Sequence, residues 1–103
     1  GQGIKEPLIH IKNIIVYIED TNIMVKNLNS WKVIVGDGYA FVNFNVDVNT
    51  DSLLLKYREL TDEDVENGVI LGVMDVVGTV SINNYNGILT PQIIVKDYAF
   101  REQ

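Results

Sequence analysis

The chain contains no cysteine, one histidine and only two prolines among its 103 residues. Without cysteine there is neither a disulfide framework nor a thiolate site, which is consistent with a cytoplasmic protein. No apolar run approaches the roughly 18 residues that a membrane-spanning helix needs, and no signal peptide is visible. With 47% hydrophobic and 21% charged residues, the sequence predicts a single globular domain without membrane association.

Catalytic motifs are also missing. There is no Gly-x-Ser-x-Gly elbow, no P-loop and no dinucleotide-binding fingerprint. His10 is far in sequence from the acidic cluster, and metal or acid–base chemistry needs converging partners. The acidic run 61–66 lacks the alternating ligand spacing of a calcium loop and is interpreted as a solvated connector. We therefore predict no catalytic residue, no metal site and no cofactor in this chain.

Positive charge is scarce, with 8 lysines and arginines against 14 acids and a net charge of −6. Such a balance argues against tight autonomous binding of nucleic acid, which normally requires a basic footprint. The acids are concentrated in the connector, however, while the segment 23–46 carries Lys26 and Lys32 against Asp37 alone. A local surface of neutral to basic character is therefore expected on an acidic protein.

Alternation of apolar and polar residues predicts five strands. They cover residues 8–18, 31–35, 39–46, 69–82 and 88–100. A change of phase at Lys12-Asn13 indicates a bulge in the first strand, and 23–25 is weighed as a short strand of its own. Turn chemistry predicts hairpins at 36–38 and at 84–87.

One helix is predicted over 49–60, where Leu53, Leu54, Tyr57 and Leu60 recur at helical spacing after a cap at Thr50 or Asp51. Three strands, a helix and two strands is the order expected of a five-stranded, Greek-key oligonucleotide-binding (OB) barrel. The predicted class is therefore all-β with one short helix. A small sandwich with one helix would show a similar pattern.

The C-terminal third resembles the last hairpin of the OB domain of RecJ-type single-stranded-DNA exonucleases. The resemblance rests on Val77-Gly78, Asn83, Tyr85-Asn86-Gly87, Pro91-Gln92 and Asp97. Gly1-Gln2-Gly3 and Glu6-Pro7 are similar to the end of the linker that precedes this domain in the family, with Ile4 and Lys5 departing from its usual asparagine and proline.

This resemblance implies that residues 1–7 are a linker from a preceding catalytic core, or an expression scar, and that 8–103 form the OB domain. The parent enzyme would degrade single-stranded DNA from the 5′ end with manganese or magnesium in its core. This chain would hold the strand and hydrolyse nothing alone. Implied partners are single-stranded DNA, bound weakly, the protein's own catalytic core and a single-strand-binding protein.

OB domains stack bases on aromatic side chains along the second and third strands and in adjacent loops. If Ala40, Val42, Phe44 and Val46 face the core, the side chains that alternate with them in the third strand would be exposed. The predicted nucleic-acid-binding residues are Lys26, Lys32, Tyr39, Phe41, Asn43 and Tyr85.

Two alternatives stay open at this point. In the first, Tyr39 and Phe41 pack against the helix or a neighbouring domain. In the second, the whole module is a protein-docking surface for the catalytic core, a single-strand-binding protein or a helicase, because a fold does not determine a function. Trp31 is expected in the core.

Overall fold

The computed structural model describes residues 7–18, 21–23, 30–35, 39–44 and 46–102, with backbone only at 21–23, 35 and 85. Its strands are β1 (Ile9–Tyr17), β2 (Thr21–Ile23), β3 (Trp31–Val35), β4 (Tyr39–Asn43), β5 (Ile70–Tyr85) and β6 (Ile88–Glu102). The helices α1 (Ser52–Arg58) and α2 (Asp62–Glu66) lie between β4 and β5. The predicted all-β class is confirmed.

All six strands belong to one sheet with the order β1-β5-β6-β4-β3-β2. Every neighbouring pair is antiparallel except β4 and β6, which run parallel. β1 and β2 follow each other closely in the chain and yet lie at opposite ends of the sheet order. If they are counted as two halves of one bent first strand, the five strands of the prediction remain, with the helices between the third and the fourth.

The bulge predicted in the first strand is present. The pairing of β1 with β5 shifts register between Ile11 and Ile14, and Asn13 has a φ of 60°. Its backbone N–H donates to the Asp75 carboxylate at 2.8 Å, and Arg101 donates to both the Asp75 carboxylate and the Asn13 side-chain oxygen at 3.0 Å. An asparagine tolerates this left-handed conformation better than most residues, and the two partners hold it there.

β5 and β6, the two longest strands in the described part of the chain, form one hairpin. Its register runs from Gly72 opposite Glu102 to Tyr85 opposite Ile88. The turn is Asn86-Gly87 alone, with φ values of 51° and 81°, as in the two-residue type I′ turns that match strand twist. At Gly78, where the register shifts, an added Cβ would lie 2.4 Å from the Ile94 carbonyl oxygen, so the two strands approach too closely there for a side chain.

Two helices replace the single predicted one. α1 is shorter than the predicted span 49–60, and Asp51 caps it by accepting from the Leu54 N–H at 2.9 Å. The run interpreted as a solvated connector folds into α2, because Thr61 and Asp64 form a reciprocal capping box that satisfies otherwise unpaired amides. Neither α1 nor α2 has the length and apolar character needed to traverse a lipid bilayer.

The core lies on the inner face of the sheet and is closed on one side by α1, which contributes Leu53 and Leu54. Trp31 is fully buried, as predicted, and lies on the same face of β3 as Val33. Val33 is directly opposite Phe41. Ala40, Val42 and Val46 are buried, as predicted. The prediction is wrong for two phenylalanines: Phe41 faces the core and is 2% exposed, whereas Phe44 is 51% exposed.

Candidate nucleic-acid interface

An open apolar groove lies at the end of the sheet where the chain enters β1. Its volume is about 400 Å³. It is lined by Ile9, Ile11, Ile14, Tyr39, Phe41, Val80, Pro91, Gln92 and Ile93. Four strands therefore build it, and we refer to these nine residues as the apolar groove.

The bulge in β1 and the pairing of the strands determine which side chains face this groove. The bulge at Asn13 lets Ile11 and Ile14 both face it, although an unbroken strand would place them on opposite faces. Ile93 pairs with Val80 across the hairpin and with Phe41 across the parallel ladder. The floor is thus made by Ile93 and Phe41, both buried, while Tyr39 stands at the rim.

Tyr39 is the exposed aromatic residue of the groove. It begins β4, opposite Val35, and its side chain is 52% exposed. Gln92 also belongs to the lining, but it lies between Pro91 and Ile93 in β6, so its side chain projects from the other face of the sheet. No lysine or arginine lines the groove in the part of the chain that the structure describes. The arrangement offers an aromatic face and an apolar wall, which suit a flat ring better than a phosphate.

The predicted binding residues are dispersed rather than gathered into one strip. Lys32 is half-buried and lies opposite Val42, so it projects from the face away from Tyr39. Asn43 is opposite Trp31 and is buried. The expectation that Phe41 and Asn43 are exposed is therefore wrong, because both share the inner face of β3 and β4.

For two of the predicted residues the structure does not describe the side chain. Lys26 lies outside the described residues, as do the hairpin turn 36–38 and the linker 1–6. Tyr85 ends β5 opposite Ile88, and its side chain is outside the description. Sequence reasoning missed the contributions of Ile9, Ile11, Val80 and Pro91 to the groove. No local pattern marks them, since only the sheet order brings these strands together.

A second recess lies at the N-terminus of α1 and is polar. It measures about 310 Å³ and includes Asp51, Lys96 and Tyr98. The carboxylate of Asp51 accepts from the Trp31 indole N–H at 3.1 Å and from the Tyr98 hydroxyl. Burial, followed by the hydrogen bond to Asp51, raises the pKa of Tyr98 to about 12. These contacts join the helix to the sheet, so the recess has a structural role.

A third recess, of about 300 Å³, brings His10 close to Asp75 and Asp97 on the outer face of the sheet. Pairing of His10 with Val77, and of Val77 with Asp97, explains this proximity, which the sequence separation conceals. Asp75 is already held by Asn13 and Arg101. Within the described residues, histidines and acids do not converge in groups of three or more suited to a metal ion.

Comparison with known protein families, curated proteins and solved structures gives no match to this chain.

Proposed function

We propose that this chain is a non-catalytic, strand-holding accessory domain of a RecJ-like 5′–3′ single-stranded-DNA exonuclease. The proposal combines the motif resemblance of the last hairpin with the architecture, in which β1 and β2 flank the sheet at both ends and β4 runs parallel to β6. Metal ions would act in the catalytic core of the parent enzyme, outside this domain.

The observation that carries the proposal is Tyr39 at the rim of the apolar groove. A half-exposed aromatic ring beside a concave apolar wall provides a stacking surface for a base, and such stacking contributes about 1–3 kcal/mol per base without sequence preference. Binding of this kind depends on ring stacking more than on phosphate contacts, which fits a protein of net charge −6.

The lysines have a smaller role in this proposal. Lys32 projects from the opposite face and would contact the backbone of the strand only where the strand leaves the groove; Lys26 is proposed as a second phosphate contact. Each contact to a phosphate should lower the slope of log affinity against log salt by about 0.7 for a single strand. We therefore expect a shallow slope of about −0.7 to −1.4, which corresponds to one or two phosphate contacts.

The test is fluorescence anisotropy of a labelled oligothymidine titrated with the domain at 20 and 150 mM salt. We expect a dissociation constant weaker than about 10 µM at 150 mM salt, within the weak range of nonspecific binding. Tyr39→Ala should weaken binding by about 5- to 150-fold, the equivalent of one lost stack.

Phe44→Ala is the matched control, because Phe44 is exposed to the same extent as Tyr39 and lies outside the groove. It should leave the affinity unchanged. Lys32→Ala should reduce the salt slope with little change at 150 mM salt. Absence of binding at 20 mM salt, or equal losses in the Tyr39 and Phe44 variants, would refute the strand-holding role.

A protein-docking function is the second candidate, and one observation favours it. The stretch 76–95 contains no charged residue, and it supplies four residues of the groove, so nothing there attracts phosphate. The discriminating measurement is calorimetric titration of this domain with the catalytic core of its parent enzyme. Saturable binding to the core that Tyr39→Ala weakens, without DNA binding at 20 mM salt, would select docking.

A further inference from the structure

The hairpin of β5 and β6 extends beyond the rest of the sheet. β1 begins opposite Gly78, and the ladder of β4 on β6 begins at Gln92. Among the described residues, therefore, 79–85 pair only with β6, and 88–91 pair only with β5. We call residues 79–91 the hairpin arm. It contributes to the elongated shape of the molecule, whose principal dimensions are 49, 29 and 26 Å.

The hairpin arm is apolar and neutral where the rest of the protein is charged. Val80, Ile82, Ile88 and Leu89 are between 46 and 67% exposed. The nearest charged residues in the sequence are Asp75 and Lys96. An exposed apolar surface of this kind on an acidic protein indicates an interaction site for another polypeptide, since a nucleic acid would find no cation on the arm.

The two edges of the hairpin arm are not equivalent. Pro91 lies on the β6 edge, where it removes a backbone donor and makes strand addition less favourable. The β5 edge from Thr79 to Tyr85 carries no proline, no charge and no register shift, because the shift in this hairpin lies between Val77 and Gly78. Free edges that lack all these protective features accept a further strand.

We propose that this β5 edge pairs with the same edge of a second copy of the chain. Around a two-fold axis, the same β5 edge of each copy pairs antiparallel with the other, so one surface is complementary to itself. The two arms would then form a four-stranded sheet. This inference does not depend on the proposed strand-holding function.

Charge distribution favours a second copy as the occupant. β4 still flanks the hairpin at Gln92, which lies opposite Ser81. The four residues of β5 beyond Ser81, at about 3.4 Å each, therefore separate the body of the protein from the turn by about 14 Å. The Debye length is about 8 Å at physiological salt. Two bodies of net charge −6 therefore meet through their neutral arms while their acidic surfaces stay beyond the range of strong repulsion.

The first test is sedimentation velocity of the whole chain over a wide concentration range. We expect the weight-average mass to rise towards twice the monomer mass. Asn83→Lys places a charge near the two-fold axis and should weaken dimerisation more than tenfold. Thr90→Lys is the matched control, because Thr90 lies directly opposite Asn83 on the other strand; it should weaken dimerisation less than threefold.

A charge-reversal experiment makes the test specific for self-pairing. Asn83→Glu should also dimerise poorly, and a mixture of Asn83→Lys with Asn83→Glu should recover a heterodimer. Asn83 is exposed, so both variants should keep the circular dichroism and thermal midpoint of the parent.

Three outcomes would overturn the proposal. They are a monomer at every concentration, equal effects of the Lys substitutions at Asn83 and Thr90, and failure of the mixture to associate. If the protein is a monomer and the Ser81–Tyr85 amides still exchange slowly with solvent, the conclusion would be that the segment preceding Pro7 pairs with this edge instead.

Discussion

Trp31 and Tyr98 meet edge to face, with ring centroids 5.1 Å apart and an interplanar angle of 83°. Both donate to the carboxylate of Asp51, which also caps α1. The indole and the phenol come from β3 and β6, strands separated by β4 in the sheet. One carboxylate therefore fixes the position of the helix on two distant strands.

Removing this carboxylate should destabilise the whole domain. Asp51→Ala removes the cap, at about 0.5–2 kcal/mol, and leaves the buried Trp31 indole N–H without its partner, at about 1–3 kcal/mol. We expect a loss of about 2–4 kcal/mol in the free energy of unfolding, measured by urea denaturation. Asp47→Ala is the control, because the Asp47 carboxylate accepts from the Asn49 N–H at an exposed site. It should lower the free energy of unfolding by less than about 1 kcal/mol. Similar losses in the two variants would contradict the special role of Asp51.

Alkaline pH should weaken the same cluster. Burial and the Asp51 hydrogen bond raise the pKa of Tyr98 from its ordinary 10 to about 12. A pKa raised by folding means that this contribution to stability is complete below pH 10 and is lost as the pH rises towards 12. Urea denaturation at pH 8, 10 and 11.5 should show the loss, and Tyr98→Phe should show a smaller one over that interval. Parallel pH profiles for the two proteins would exclude Tyr98 as its source.

The opposite placements of Phe41 and Phe44 can be tested as a pair. Phe41 is buried against Val33 and Ile93, so Phe41→Ala should cost about 3–5 kcal/mol of unfolding free energy through the lost burial and the cavity it leaves. Phe44→Ala should cost less than about 1 kcal/mol, because half of its surface is already in water. Thermal and urea unfolding of the two variants give the comparison; a larger loss for Phe44 would restore the strand phase that the sequence predicted.

The bulge in β1 predicts that the pKa of the Asp75 carboxyl group responds only in part to the loss of one of its two hydrogen-bond partners. The Asn13 backbone N–H, and secondly the Arg101 guanidinium, hold the pKa of Asp75 below its ordinary value of 3.8. Arg101→Gln should raise this pKa without restoring it fully, since the larger cause is retained. NMR titration of the Asp75 carboxyl carbon measures the change.

The sign of the pH effect follows from the depressed pKa of Asp75. Its contribution to stability is present above the ordinary value and is lost as the pH falls through the lower folded value. Asp75→Asn should therefore be less sensitive to acid than the parent between pH 4 and 2. An Asp75 pKa that does not move in Arg101→Gln would show that the guanidinium has no electrostatic effect at this site.

The local features of the fold were predictable because they depend on neighbouring residues. Asn13 bends its strand through its own backbone conformation, Asn86-Gly87 closes the hairpin through two positive φ angles, and Asp51 caps α1 three residues ahead of Leu54. The all-β class followed from the alternation of apolar and polar residues in these strands.

The face of β4 and the composition of the groove were decided by tertiary structure. Ala40, Phe41 and Val42 are all apolar, and all are buried, so alternation carries no signal there about which residue points inward. Pairing of Phe41 with Val33 on one side and Ile93 on the other resolves it. The groove likewise exists only because the sheet order places β1, β4, β5 and β6 around one opening, and contacts between residues so distant in sequence leave no trace in the local pattern.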